Sequence, residues 1–248
     1  MESFKLSPLG DVALVVDLGH SIDLQTHRRV KALYTYFAEH ALPGLIECVP
    51  AFTTLTIFYD PVQFAVSYKD SLHSSNLESV TPYERICSLI EQLIAQVDDV
   101  VFAAHAERII EIPVCYDRDF GPDLNVVAEH NNLTPEEVIK IHSGAEYQVY
   151  MIGFAPGFPY LGGMPSQIAT PRRTRPRLAV PAGTIGIGGA QTGIYSIETP
   201  GGWQLIGRTP VRLFRPFENP PSFLRMGDGV RFREISRAEF DAVLERLQ

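Results

Sequence analysis

Between residues 147 and 210, glycine or proline interrupts the chain every few residues, and the runs between them are short, β-branched and apolar. Proline breaks a helix and glycine weakens one, so no long helix can form there. QVYMIGF, LAVPAG, TIGIGG, GIYSIE and WQLIGRT, with GVRFREI further along, have the length and composition of strands. Many short strands separated by regular turn signals predict an antiparallel barrel or sandwich for the C-terminal half. GFAPGFPYLGG (153–163) is the densest part: it sets Phe154, Phe158, Tyr160 and Leu161 on a backbone of glycines and prolines.

The first half reads differently. Residues 12–16 are a β-branched run suited to a buried strand. Ser21 or Asp23 can cap a helix, and Val30, Leu33, Tyr34 and Phe37 follow at i, i+3, i+4 and i+7 before Pro43-Gly44 stops it. Residues 53–60 form a strand ended by Pro61, a further short strand is expected after it, and the polar, Ser-rich stretch 69–79 reads as a surface loop. Thr81-Pro82-Tyr83-Glu84 has the form of a capping box with proline in the first turn. Ile86, Leu89, Ile90, Leu93, Ile94 and Val97 make the apolar stripe behind it, and 107–114 is a strand. That order predicts a small α+β sandwich with its helices on one face. Short helices are expected over 123–130, from the second capping box at Thr134 through roughly His142, and over 237–248. The boundary falls near 105–115, giving domains 1–108 and 109–248.

The net charge of −8 argues against nucleic acid as a partner, because phosphate binding asks for surplus lysine and arginine. No basic and apolar leader opens the sequence, and no apolar run approaches the ~20 residues that cross a bilayer. Three well-separated cysteines, Cys48, Cys87 and Cys115, fit buried, reduced thiols and a cytoplasmic protein. The glycine-rich stretch 183–193 fails as a dinucleotide fingerprint, since Gln191 stands where glycine is needed, and no Lys-Ser or Lys-Thr follows for a P-loop. Its glycines read as corners or close approaches of backbone. Asp117, Asp119 and Asp123 do not make a calcium loop with Gly121 and Pro122 between them; Asp123 reads as a carboxylate at a helix N-terminus. His20, His27, His40 and His73 read as solvated and His142 as a helix end rather than a base. No spacing for a metal site, a serine hydrolase or a kinase is present.

What remains is a constellation of Phe154, Phe158, Tyr160, Arg177, Gln191, Tyr195, Trp203 and Arg208, with Arg172, Arg173 and Arg175 close by in sequence. Two readings stand side by side. The rings can floor a preformed pocket in which arginine forks hold a small anion, an amide or a proline-bearing segment. Alternatively the rings are barrel core and the arginines a solvated loop. No catalytic residue is assigned.

EIPVCYDRDFGPDL, VYMIGFAPGFPYLGGMP and PRRTRPRLAVPAGTIGIGGAQTGIYSIETPGGWQLIGRTP, with GDVALVVDLG and PGLIECVPAFTTLTIFYDP before them, resemble the successive signatures of the 5-oxoprolinase B-subunit family. That family is also called allophanate hydrolase subunit 1 or Kip-type sporulation kinase inhibitor. The resemblance covers nearly the whole chain. It implies a ferredoxin-like N-terminal domain and a cyclophilin-like β-barrel. It also implies a role alongside companion 5-oxoprolinase A and C subunits in opening 5-oxoproline to glutamate using ATP. Phosphoryl transfer to the lactam oxygen is the expected driving step, with Arg177 and Arg208 suited to charge stabilisation. The inhibitor branch implies a different role: binding a sensor histidine kinase at its dimerisation helices and blocking autophosphorylation.

Overall fold

A computed structural model describes residues 4–40, 42–67, 81–100 and 108–246, with side chains left out at 65 and 96–100. The loop expected at 69–79, His73 and the side chain of Val97 lie outside the described residues. The chain divides into two compact units, Met1–His105 and Ala106–Gln248.

The first unit runs β1 (Lys5–Pro8), β2 (Ala13–Asp17), α1 (Leu24–Glu39), β3 (Leu45–Pro50), β4 (Thr54–Tyr59), α2 (Pro61–Ser67) and α3 (Pro82–Val100). Its strands form one antiparallel sheet in the order β1-β2-β4-β3. The inward side chains of the sheet, Leu14, Val16, Leu55 and Ile57, share one core with Val30, Leu33 and Phe37 of α1 and Ile86, Ile90 and Leu93 of α3. Of the two cap candidates Asp23 serves α1, its Oδ1 accepting from the Thr26 N–H at 2.8 Å. Glu84 and Thr81 exchange the capping-box bonds of α3, at 2.8 and 3.2 Å. Pro61 opens α2 where a further strand was expected, because Asp60 accepts from the N–H groups of Val62 and Gln63 and nucleates a helical turn. His27 is not solvated as expected. It turns inward one helical step from Val30, is fully buried, and burial holds its pKa down at about 4.

The second unit runs β5 (Ile109–Val114), α4 (Leu124–His130), α5 (Pro135–Gly144), β6 (Glu146–Ile152), β7 (Pro159–Gly162), β8 (Arg177–Val180), β9 (Thr184–Gly188), β10 (Gln191–Ile194), β11 (Thr199–Gly201), β12 (Gln204–Arg208), β13 (Gly229–Glu234) and α6 (Arg237–Arg246). Seven strands make one curled sheet in the order β12-β9-β10-β7-β6-β13-β5, and β8 pairs with β11 in a separate ribbon. The sheet curls until its edges meet: Cys115, just past β5, and Arg208, at the end of β12, exchange two backbone hydrogen bonds of 2.9 Å. The strand expected over 107–114 therefore belongs to this second sheet, and the sheet is not wholly antiparallel. β5 and β13 run parallel in register from Ile109↔Gly229 to Val114↔Glu234, which is possible because the intervening chain forms the long crossover that a parallel pair needs.

GFAPGFPYLGG supplies a central strand after all. β7 lies between β6 and β10, and its proline is its first residue, a position in a strand that tolerates the missing N–H. Ile112, Val149, Leu161, Ile185, Ile187, Ile194 and Ile206 of the sheet pack with Val127 of α4 and Val138 of α5 in one core. α5 begins with the expected capping box, Thr134 with Glu137. Among the described residues no helix is long and apolar enough to cross a membrane.

Candidate functional site

Trp203 and Phe158 sit at the centre of a ring cluster outside the main core. Phe158 lies 4.9 Å from Tyr160, 5.4 Å from Tyr195 and 5.7 Å from Trp203, centroid to centroid, mostly edge to face. The glycines of β9 make room for this cluster. A Cβ at Gly188 would stand 2.6 Å from Trp203 Nε1, and one at Gly186 would stand 3.0 Å from its Cβ. The glycine-rich stretch is thus a bed for an indole and offers no cradle for a nucleotide's phosphates. Phe158 and Tyr195 are 2% exposed and Trp203 5%. These rings fill one another's space, so the pocket floor expected of them is closed: they are core. Tyr160 is half-buried at the edge. Phe154, stacked edge-on against Phe158 at 5.4 Å, is 63% exposed and holds a left-handed φ of 68°.

Arg177 does not reach into a cavity as an anion handle. Its Nη2 donates to Asp123 Oδ1 at 2.8 Å, and Arg173 Nη1 donates to the same oxygen at 3.1 Å. The other carboxylate oxygen accepts from the Leu205 N–H at 2.7 Å. Asp123 sits at the cap position of α4 but caps no helical N–H. It is a buried anchor that ties the arginine loop to β12. Gln191 opens β10 beside the tight turn from β9, paired with Gly188, and takes no part in the ring cluster.

Of Arg177 and Arg208, the two arginines expected to stabilise charge, Arg208 lines a cleft. It ends β12 at the rung where the sheet closes, and its Nε donates to the Ala182 carbonyl at 2.9 Å. The cleft beside it has a volume of about 560 Å³ and is lined by Phe120, Arg208, Arg212, Phe214, Arg237 and Phe240, among others. The guanidinium carbons of Arg208 and Arg237 stand 5.8 and 4.4 Å from the centre of the Phe120 ring. Burial, and then the charge of Arg237, lowers the Arg208 pKa, although an arginine stays charged at any physiological pH. Asp241 and Asp119 lie 3.3 and 3.7 Å from Arg237. Among the described residues no carboxylate pairs with Arg208 or Arg212. Glu198 and Asp241 line the same cleft, so its three arginines face two carboxylates and leave a net positive charge beside an aromatic wall, an arrangement that can hold a small anion and stabilise negative charge developing on it. Phe120, Arg212, Arg237 and Phe240 carried no local sequence signal: Phe120 follows β5, Arg212 follows β12, and Arg237 and Phe240 belong to α6, so they line one cleft only in the folded unit.

His142 ends as neither a base nor a simple helix terminus. It is fully buried, its Nδ1 2.8 Å from the Tyr116 hydroxyl and its Nε2 3.2 Å from Thr192 Oγ1, with the ring stacked 4.5 Å from Phe232. Burial pushes its pKa down to about 3, so it is neutral at pH 7. Cys115 is buried, and Cys48 and Cys87 are partly so; burial raises all three thiols, which makes them poor nucleophiles.

The sequence matches the carboxyltransferase domain family, subdomain C and D, over residues 4–224. It is also 48% identical over 242 residues to the B subunit of 5-oxoprolinase from Bacillus subtilis (strain 168), covering 98% of this chain and 97% of that protein. The chain belongs to the 5-oxoprolinase B-subunit family. The crystal structure of the conserved uncharacterized protein PH0987 from Pyrococcus horikoshii is similar to this family member at a TM-score of 0.53 and 41% identity, over 95% of this chain and all of that one. The crystal structure of TTHA0988 is similar at a TM-score of 0.73 and 32% identity, over 90% of this chain. This 5-oxoprolinase B-subunit relative spans about 40% of that longer protein.

Proposed function

We propose that this chain is the B component of an ATP-dependent 5-oxoprolinase that opens 5-oxo-L-proline to L-glutamate. The observation that carries this reading is the 48% identity to a 5-oxoprolinase B subunit along nearly the full length of both proteins. The seam cleft supports it chemically. A lactam acid brings a carboxylate, and its ring oxygen gains negative charge as the amide is attacked; Arg208, held by the Ala182 carbonyl, and the exposed Arg212 supply positive charge for both. Trp203 packs on Gly186 and Gly188 of the glycine-rich stretch, so that stretch is not a phosphate cradle, and ATP is used by the complex formed with companion A and C subunits. The isolated chain is expected to be inactive. The same family reading gives the first unit a ferredoxin-like and the second a cyclophilin-like architecture, supported by the antiparallel sheet with α1 and α3 and by the closing seven-stranded sheet.

The test is reconstitution. The three subunits are co-expressed and glutamate formation is followed with ATP and 5-oxoproline. A rate that is unchanged when this chain is omitted rejects the reading. One observation favours a second reading, inhibition of a sporulation histidine kinase: Phe154 is presented to solvent on a strained backbone beside the ring cluster, as a docking residue for an apolar segment would be. Undiminished kinase autophosphorylation at saturating protein removes that alternative.

A further inference from the structure

Residues 117–123, between β5 and α4, form a turn pressed onto β12. The Asp117 carbonyl accepts from the N–H groups of Phe120 and Gly121 at 2.8 and 2.7 Å, which closes the turn. A Cβ at Gly121 would stand 2.2 Å from the Ile206 carbonyl oxygen, so any side chain there forces the strand to move. Asp123 and Leu205 complete the attachment. The Asp123 N–H donates to the Leu205 carbonyl at 2.9 Å, and the Leu205 N–H donates to Asp123 Oδ2 at 2.7 Å. Phe120 is therefore fixed beside the strand that ends in Arg208.

The half-buried Phe120 ring meets three side chains of the seam cleft. Phe240 of α6 packs on it at 4.5 Å between centroids, and the guanidinium carbons of Arg237 and Arg208 stand 4.4 and 5.8 Å from its centre. The two arginines carry the same charge and repel each other. Few other contacts restrain them. Among the described residues the Ala182 carbonyl is the one hydrogen-bond partner of the Arg208 guanidinium. The carboxylates near Arg237, those of Asp119 and Asp241, are exposed, and solvent screens such pairs until they hold little. The face of an aromatic ring carries partial negative charge, and it attracts a guanidinium more strongly where water is partly excluded. Phe120 is the element common to both guanidinium groups.

We propose that Phe120 is a positioning residue of the seam cleft: its ring holds the guanidinium groups of Arg208 and Arg237 at the cleft against their mutual repulsion, ready for the oxygen that gains negative charge. This rests on the 5-oxoprolinase reading of the cleft and adds Phe120 and Arg237 to the residues that reading uses. The ring acts through the two arginines rather than on the reacting atoms. A charge already in place needs no reorganisation as the reaction proceeds, so loss of the ring face is felt in turnover.

The test is fluorination of Phe120 in the reconstituted three-subunit assembly, with glutamate formation followed under ATP and 5-oxoproline. Each fluorine drains negative charge from the ring face and leaves the shape of the ring nearly intact. Mono-, di- and trifluorinated phenylalanine at position 120 are expected to lower kcat in that order, by about fivefold in total. Phe120→Leu keeps an apolar side chain without a π face and lowers kcat by about tenfold, whereas Phe120→Tyr stays within about threefold of wild type. Arg237→Ala lowers kcat by about fivefold or more. If Phe120→Leu fails to fold, the fluorinated chains decide the matter alone, because a ring that merely fills space gives one kcat throughout that series. A flat fluorine series, or wild-type turnover in Arg237→Ala, in an active assembly overturns the positioning role and leaves the 5-oxoprolinase function standing. An assembly that is inactive with the unmodified chain overturns the function itself, and the role of Phe120 falls with it.

Discussion

Asp123 and Arg177 are 54 residues apart in sequence and 2.8 Å apart in space. One buried carboxylate holds two arginines and a strand N–H, which is how the loop before β8 is fastened to β12. Removing the carboxylate strands guanidinium groups against a desolvated wall. Asp123→Ala is expected to destabilise the second unit by about 3–5 kcal/mol, the cost of breaking a buried ion pair from one side. Asp123→Asn keeps the shape and loses the charge, so it falls between Ala and wild type. Denaturant unfolding followed by the single tryptophan measures both, and a loss below about 1 kcal/mol for Ala contradicts the anchoring role.

The indole bed in β9 makes an opposite prediction, that adding one methyl group is harmful. Gly188→Ala places a Cβ 2.6 Å from Trp203 Nε1 and forces the ring to move. Overpacking of this kind costs about 1–3 kcal/mol. Phe158→Ala, which empties the middle of the same cluster, costs about 3–5 kcal/mol. Red-shifted tryptophan emission in both variants accompanies the loss. An unshifted spectrum in Gly188→Ala shows that the ring does not lie where its neighbours place it.

Stability falls with acid earlier than carboxylate titration alone predicts. His142 has a folded pKa of about 3 against 6.5 in the unfolded chain. Between those values the unfolded state binds a proton that the folded state refuses. The stabilising contribution is complete above pH 6.5 and is lost as pH falls toward 3, at about 1.4 kcal/mol per pH unit for each such histidine. His27 acts in the same direction between 6.5 and about 4, in the first unit. Unfolding free energies of the second unit measured from pH 7 to 5 are expected to decline, and His142→Gln flattens that decline. A slope identical in wild type and variant refutes the assignment.

Arg208 is where the candidate chemistry and the barrel closure coincide. In the reconstituted assembly Arg208→Ala is expected to lower kcat on the order of 100-fold, as loss of one preorganised charge-stabilising group does. Arg208→Lys fails to restore it, since a lysine cannot both bond the Ala182 carbonyl and present a fork to the cleft. The fold is kept, because the closing bonds between Cys115 and residue 208 are made by the backbone. Wild-type turnover in Arg208→Ala moves the site away from the seam.

Local order was written plainly in the chain. Both capping boxes, the stripes of α1 and α3, and the glycine-proline rhythm that excludes long helices all act within a few residues, and each has its counterpart in the structure. The glycines of 183–193 read from the sequence as corners or close approaches of backbone, and that the indole of Trp203 packs on Gly186 and Gly188 became visible only in the structure. Pairings at a distance were not legible either. Which sheet receives 109–114, whether the rings of Phe158, Tyr195 and Trp203 enclose space or fill it, and whether Arg177 faces a ligand or Asp123 all depend on contacts between residues tens of positions apart. Ring and guanidinium chemistry is the same in either arrangement. Loop closure and the competition for buried volume chose between them, and those energies exist only once the sheet has curled and closed.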